Sequence, residues 1–214
     1  VMAGTVRLGE LVEGIAGATK KIGYLGGDNY RLHLDISGKG QALDIVLVID
    51  SSGSMDERSG LLQPTKMENL KRILIGTWGQ DGFVDQIFSK NPESRISVIS
   101  YSDDAVVKSN WSSDKLTLEF TINTLEANGG TNYEDGLVAA RDILKTKDPT
   151  HLPYVIFLSD GNPTFANKPV NEFGKGTVGG NGNSDNSYVD GEDKKVTVGQ
   201  ETLFAAEQFR KDPA

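Results

Sequence analysis

The stretch Leu43–Asp50, with the sequence LDIVLVID, decides the fold of this 214-residue chain, and SSGSM follows it directly. Six of its eight residues are apolar, and four of those are β-branched. An apolar run of this composition is typical of a strand whose two faces are both covered by helices. We therefore place Leu43–Asp50 at the centre of an α/β sheet.

Helices and strands alternate after this strand. Apolar residues recur at helical spacing from Lys66 to Phe88, and we expect breaks at Gly76, Gly79 and Gly82. Periodicity predicts further strands at residues 95–101, 105–110 and 154–159, and further helices at residues 133–145 and 198–211. This order predicts a doubly wound, mostly parallel sheet flanked by helices.

Two segments fall outside this alternation. Residues 20–25 and 30–36 have strand patterns and flank the turn-prone sequence GGDN, which predicts an antiparallel hairpin. Residues 161–191 contain seven glycines and six asparagines, so we expect an inserted arm at 161–195 rather than an ordinary loop. The predicted domains are residues 1–40, made of β-strands, and residues 41–214, which carry the α/β sheet and the arm.

Composition excludes several classes of function. The chain has 22 basic and 30 acidic residues, and its net charge of -8 disfavours a nucleic-acid partner. It has no cysteine, which rules out thiolate metal sites and cysteine nucleophiles. No apolar run approaches the roughly eighteen residues that a membrane span needs. The two histidines, His33 and His151, are predicted to lie on the surface without a metal-ligand partner.

Oxygen-bearing side chains follow the predicted central strand, precede the helix at 133–145 and follow the strand at 154–159. In open α/β sheets, residues from separate loops meet at the carboxyl edge of the strands. Convergence would bring together two carboxylates and three hydroxyls, from Asp50, Ser52, Ser54, Thr131 and Asp160. These are hard oxygen donors, of the kind that bind Mg²⁺, Mn²⁺ or Ca²⁺.

The mixture of donors also predicts how such an ion would be used. Hydroxyl ligands are neutral, so the ion would keep positive character and a water-filled position that a carboxylate from another molecule could take. The alternative is that these residues only form a strand-ending turn and a helix cap. Agreement among three separated segments favours metal binding.

The sequences DIVLVIDSSGSM, GGTN and FLSDG resemble, in order and spacing, the metal-ion-dependent adhesion site of von Willebrand factor type A domains. The resemblance covers about residues 43–211 and implies a Rossmann-like fold. It implies that Ser52, Ser54 and Thr131 bind the metal directly, whereas Asp50 and Asp160 bind it directly or through water. The implied ion is Mg²⁺, with Mn²⁺ and Ca²⁺ as alternatives.

The strand sequence YRLHLDISG and the Gly/Asn-rich arm resemble a narrower group, the tip adhesins of Gram-positive sortase-assembled pili. This resemblance implies an extracellular location on a pilus. It also implies that residues 1–40 belong to an immunoglobulin-like flanking domain and that the A domain is incomplete at its C-terminus. Other pilus subunits would then bind regions outside this chain. An isopeptide crosslink of the kind found in pilins could involve Asp35 or Lys20, and the sequence does not assign one.

The leading hypothesis is a non-enzymatic adhesion module that captures an acidic residue of a host or extracellular-matrix protein through its metal. One alternative is an intracellular A domain that works inside a multiprotein assembly. Another is a metal-dependent hydrolase with Asp50 as nucleophile. The chain has no phosphate-binding loop with a glycine-lysine pair and no GxSxG elbow, which disfavours the hydrolase.

Two further acidic patterns are not expected to bind a metal. Asp103 and Asp104 are predicted to form a solvated turn and are left out of the site. A calcium-loop spacing occurs in the arm, but its first position is not Asp and its sixth position is not Gly. The residues with that spacing are Asn181, Asn183, Asp185 and Glu192.

Overall fold

The computed structural model describes residues 5–7, 17–26, 29–37, 41–168, 177–180, 187–189 and 195–211. Its strands are β1 (Thr5–Arg7), β2 (Gly17–Gly26), β3 (Asn29–Ser37), β4 (Leu43–Asp50), β5 (Gly76–Thr77), β6 (Gln80–Asp81), β7 (Arg95–Tyr101), β8 (Ala105–Ser112), β9 (Leu152–Leu158), β10 (Phe165–Lys168), β11 (Thr177–Gly180), β12 (Ser187–Val189) and β13 (Lys195–Thr197). Its helices are α1 (Lys66–Ile75), α2 (Phe83–Lys90), α3 (Lys115–Asn123), α4 (Tyr133–Leu144) and α5 (Val198–Lys211).

The central sheet has four strands in the order β8-β7-β4-β9. Strand β4 pairs in parallel with both β7 and β9, which confirms the doubly wound, mostly parallel sheet. Strand β8 departs from this pattern because it pairs antiparallel with β7. Only residues 102–104 separate the two strands, and a parallel crossover needs about a dozen or more residues.

All eight residues of β4 are buried. On one face, Leu43, Ile45, Leu47 and Ile49 pack with residues of α1, α2 and α3. On the other face, Val46 and Val48 pack with residues of α4. Burial on both faces is the reason for the nearly continuous apolar sequence of this strand.

The predicted breaks after α1 form a small hairpin. Thr65 and Glu68 make a capping box at the start of α1, and the helix ends at Gly76, whose φ is 84°. Strands β5 and β6 then pair around Gly79, which has a φ of 79°. Trp78, counted in the helical apolar pattern, lies in this turn and is fully exposed. The helical stripe therefore stops before Trp78.

Helix α3 is an element that the sequence analysis does not predict. Asp114 caps it by accepting a hydrogen bond from Leu116 N. Its apolar residues lie on both sides of the helix, because Leu118 and Ile122 are buried whereas Leu116 and Phe120 are 74% and 73% exposed. The sequence of α3 therefore shows no clear apolar face, which is the signal from which helices are predicted.

The N-terminal hairpin is confirmed, because β2 and β3 pair antiparallel with Lys20 opposite Leu34. The arm contains two short antiparallel pairs, β10 with β11 and β12 with β13. The side chains of Lys20, His33 and Asp35, and most of the calcium-loop spacing, lie outside the described residues. Within the described part of the chain, no helix combines the length and apolar character that crossing a membrane requires.

A buried ionic cluster lies where β4 begins. The Asp44 carboxylate is fully buried and accepts hydrogen bonds from Arg95 Nε at 2.9 Å and Arg95 Nη2 at 2.6 Å. It also accepts a hydrogen bond from the backbone N–H of Asp148 at 2.7 Å. His151 Nδ1 lies 2.7 Å from Asp44 Oδ1, and the histidine side chain is only 13% exposed. The prediction of His151 as a surface residue is therefore wrong, since a partner distant in sequence draws it inward.

This cluster predicts a pH dependence of stability. Burial opposes ionisation of Asp44, but the hydrogen bonds from Arg95, Asp148 and His151 outweigh it and hold the pKa of Asp44 below its ordinary value of 3.8. Its contribution to folding is therefore complete above the unfolded pKa and is lost as the pH falls through the lower folded pKa. Urea unfolding from pH 7 down to pH 2–3 should show a steeper acid loss of stability in the native protein than in Asp44→Asn. Equal pH slopes would contradict this assignment.

Candidate metal centre

Backbone hydrogen bonds join the loop after β4 to the loop before α4. Gly53 N donates to Gly129 O at 2.9 Å, and Asn128 N donates to Ser51 O at 2.7 Å. Ser51 N donates to Tyr101 O at 2.8 Å, which also fixes the first loop to the end of β7. The first two of the three predicted segments therefore meet at the carboxyl edge of the sheet.

Side chains join the third segment to the first. Ser54 Oγ donates to Asp160 Oδ1 at 2.9 Å, and the hydroxyls of Ser52 and Ser54 lie 3.0 Å apart. Thr131 is 5% exposed and lies two residues after Gly129, in the loop bonded to the first segment. The three segments predicted to converge do so.

Asp50 is fully buried and held on both oxygens. Its Oδ1 accepts a hydrogen bond from Ser52 N at 2.9 Å, and its Oδ2 accepts from Ser159 Oγ at 2.6 Å and from Tyr101 OH at 3.3 Å. Burial, together with the charge of Asp50, raises the pKa of Tyr101 far above its usual range, so the phenol remains a donor. These bonds fix Asp50 and leave its carboxylate limited capacity for a further direct ligand.

Asp103 positions the loop that carries Thr131. Its Oδ1 accepts a hydrogen bond from Gly130 N, and its backbone carbonyl accepts one from Asn132 Nδ2 at 3.0 Å. The prediction of a solvated turn is therefore wrong for Asp103, whereas Asp104 is exposed. The sequence offers no signal for this contact, because the partner of the Asp103 carboxylate is a backbone N–H 27 residues away.

The root of the arm also holds Thr131. Thr131 N donates to Thr164 Oγ1 at 2.8 Å, while Thr131 O accepts hydrogen bonds from Thr164 N at 2.8 Å and from Phe165 N at 3.1 Å. This contact, which sequence reasoning missed, couples the start of β10 to a predicted metal ligand.

A lysine faces the predicted site. Lys66 Nζ lies 2.6 Å from Asp160 Oδ2 and 2.7 Å from Glu57 Oε2. Although partial burial opposes the charge, these two carboxylates raise the pKa of Lys66, which keeps the ammonium charged. Sequence reasoning also missed Lys66. Its one local signal is a cation at the first position of a helix, where the helix dipole disfavours it.

The donor set fits a hard divalent ion. The converging loops supply carboxylate and hydroxyl oxygens, which suit Mg²⁺, Mn²⁺ or Ca²⁺ better than softer metals. Among the described residues, no group of three or more histidine, cysteine, aspartate or glutamate side chains is placed to share a metal. Three of the five predicted ligands are hydroxyls. Helix α4 begins beside one of them, Thr131.

A family model identifies the α/β part of the chain. The family model for the von Willebrand factor type A domain matches residues 45–162, which include most of β4, the three loops of the candidate site and all of β9. The chain belongs to this family. A comparison with curated protein sequences finds no match.

Solved A domains of pilus proteins have the same fold. The von Willebrand domain of the type V pili tip protein Mfa5 from Porphyromonas gingivalis is 27% identical, with a TM-score of 0.50 over 61% of this chain and 42% of that one. The pilus adhesin SpaC from Lactobacillus rhamnosus GG is 21% identical, with a TM-score of 0.56 over 97% of this chain and 28% of that one. The PilB minor pilin from Streptococcus sanguinis is 18% identical, with a TM-score of 0.51 over 76% of this chain and 47% of that one.

These three matches support different conclusions about the chain. The likenesses to SpaC and PilB show the fold alone, whereas Mfa5 also shares more than a quarter of its aligned residues. The present chain spans less than half of the length of each of these structures. The activities and partners of the whole relatives are therefore considered only as proposals.

Proposed function

We propose that this A domain is an adhesion module of a pilus tip that binds an acidic residue of a host or extracellular-matrix protein through Mg²⁺. The observation that carries the proposal is the direct contact of Ser54 with both Ser52 and Asp160, side chains from opposite ends of the domain sequence. Similarity to the von Willebrand domain of a pilus tip protein supports the adhesive role. An extracellular location and contacts with other pilus subunits follow from the same similarity.

Each predicted ligand has a distinct part in the proposal. Ser52, Ser54 and Thr131 supply neutral hydroxyl oxygens, and Asp160 supplies a carboxylate at the rim of the site. Asp50 is held in place by Ser159 and Tyr101, and it would hold the ion directly or through a coordinated water. A bound ion supplies the positive charge that attracts the carboxylate of the partner protein.

The surface beside Asp160 suits a protein partner. The loop between the first metal segment and α1 closes on itself through the bridge between Arg58 and Thr65. Leu61 and Leu62 lie in this loop and are 96% and 93% exposed. Contiguous exposed apolar side chains mark contact sites, and in the sequence this adjacent pair lies a few residues before Lys66, whose ammonium pairs with Asp160.

The other roles considered for this site have less support. A nucleophilic Asp50 needs an accessible carboxylate, whereas Asp50 is fully buried and hydrogen bonded on both oxygens. We therefore propose a non-enzymatic function. The assignment of residues 1–40 to an immunoglobulin-like flanking domain is part of the same proposal, and it agrees with the antiparallel sheet of β1, β2 and β3.

Asp160→Asn is expected to weaken Mg²⁺ binding about tenfold, because the amide keeps the shape of the side chain but loses its charge. Isothermal titration with MgCl₂ measures the change, and circular dichroism verifies folding. Asp142→Asn is the matched control, since Asp142 is an exposed aspartate of α4 paired with Lys145. Equal affinity of the native protein and Asp160→Asn would exclude Asp160 from the metal site.

The same variants also test the proposed adhesion. Native protein should bind an immobilised extracellular-matrix extract in MgCl₂ and lose that binding in EDTA or with Asp160→Asn. Converting the carboxylates of the extract to amides should also abolish binding, because the proposed ligand is an acidic side chain. Binding that persists in EDTA would rule out a metal-dependent adhesin.

A further inference from the structure

Lys66 connects the predicted metal site to a second carboxylate. Its ammonium lies 2.6 Å from Asp160 Oδ2 and 2.7 Å from Glu57 Oε2, so it bridges the two acidic side chains. The other oxygen of Asp160 accepts the hydrogen bond from Ser54 at 2.9 Å. Both oxygens of Asp160 are therefore engaged, one by a predicted ligand and one by a cation that belongs to the protein.

A divalent ion and the Lys66 ammonium compete for the same negative charge. Like charges a few ångströms apart repel, so an ion coordinated near Asp160 is disfavoured while the ammonium remains there. The Lys66 ammonium can move toward Glu57, because the Glu57 side chain is 66% exposed and its carboxylate already pairs with Lys66. The exposed Lys66–Glu57 pair adjusts at little cost, whereas the contact with Asp160, whose side chain is 12% exposed, is the one that the ion would replace.

We infer that Lys66 is an internal competitor for the metal, which neutralises Asp160 when the site has no ion and withdraws toward Glu57 when an ion binds. This inference rests on the proposed metal-dependent function. It makes Lys66 the residue that sets the divalent-ion concentration at which the site fills. It also gives the ligand loop a fixed geometry before the ion arrives, since Asp160 keeps a cationic partner throughout.

Lys66→Met tests the competition directly. Methionine keeps the length of the side chain and suits a helix, but it has no charge. We expect the dissociation constant for MgCl₂, measured by isothermal titration, to fall about tenfold. Lys71→Met is the matched control, because it removes the same charge from the same helix at a lysine whose Nζ donates to Asn123 O. Lys71→Met should change the affinity less than about twofold, and Lys66→Gln serves if the methionine variant does not fold.

Thermal unfolding gives an independent readout. Without a metal, Lys66→Met should melt below the native protein, because Asp160 and Glu57 lose their shared partner. With saturating MgCl₂ it should show the larger rise in Tm, since binding of the ion is tighter. If the native protein binds Mg²⁺ and Lys66→Met binds it equally or more weakly, the inference is overturned and the proposed function stands. If neither protein binds Mg²⁺, Mn²⁺ or Ca²⁺, the proposed function fails as well.

Discussion

Replacement of Asp44 by alanine is expected to lower the free energy of unfolding by about 3–5 kcal/mol, because it removes a fully buried carboxylate and leaves the partly buried Arg95 guanidinium without its counter-charge. Asp44 is fully buried and takes both a two-bond contact from Arg95 and the Nδ1 contact of His151. It also accepts the backbone N–H of Asp148, which fixes the turn that leads into β9. One side chain thus ties β7 and the start of β9 to the central strand. Urea denaturation followed by circular dichroism measures the loss.

Asp142→Ala provides the comparison for this prediction. Asp142 pairs with Lys145 at 2.6 Å, but its side chain is 55% exposed. Exposed pairs of this kind contribute less than about 1 kcal/mol, so the two alanine variants should differ severalfold in their effect. A loss below about 1 kcal/mol for Asp44→Ala would show that the burial of the pair contributes little. Metal binding should survive in both folded variants, since Asp44 lies at the end of β4 opposite Asp50.

The central part of the fold could be predicted because its physical causes are local in sequence. Eight consecutive residues of β4 are buried, and a short, nearly continuous apolar run is typical of a strand covered on both faces. The site followed from a second rule, that loops after parallel strands share one edge of the sheet. These two rules brought Ser52, Ser54 and Asp160 together before any distance was known.

The contacts that support the site could not be predicted in the same way. Asp103 binds Gly130 N, and Thr164 binds the backbone of Thr131, so both depend on loop positions that no spacing encodes. Lys66 meets Asp160 across 94 residues of sequence, and an isolated lysine at a helix start gives no hint of its partner. The same reasoning applies to His151, whose burial depends on Asp44 rather than on its own neighbours in the chain.

Predictions from local patterns were also incomplete where large apolar side chains are exposed to solvent. Trp78 continues the apolar spacing of α1 in the sequence, yet the glycine-flanked hairpin of β5 and β6 carries it out to solvent. Helix α3 exposes two large apolar side chains and buries two others, so its pattern lacks a clear polar face. In both cases the chain departs from the amphipathic rule by which elements are predicted.

Gly130 is the position where a single methyl group should most disturb the site. A Cβ at Gly130 would lie 2.1 Å and 2.2 Å from two carbons of the Phe165 ring and 2.9 Å from Asp103 Oδ1. These separations are below van der Waals contact, so the Phe165 ring, the loop or the root of the arm must move. Gly130 immediately precedes Thr131, and its N–H is held by Asp103. Movement of either neighbour therefore displaces Thr131, whose backbone is bonded to the root of the arm.

Gly130→Ala is expected to weaken Mg²⁺ binding about tenfold to hundredfold, while overpacking costs about 1–3 kcal/mol of stability. Gly161→Ala is the matched control, because a Cβ there meets no atom within 4 Å, and it should bind Mg²⁺ like the native protein. The double variant Gly130→Ala/Phe165→Ala should recover much of the affinity, since it removes the ring that the new methyl group strikes. Recovery would identify the contact between the arm and the Thr131 loop as the cause of the loss. Weak binding in the double variant together with native binding in Phe165→Ala alone would instead locate the cause at Asp103.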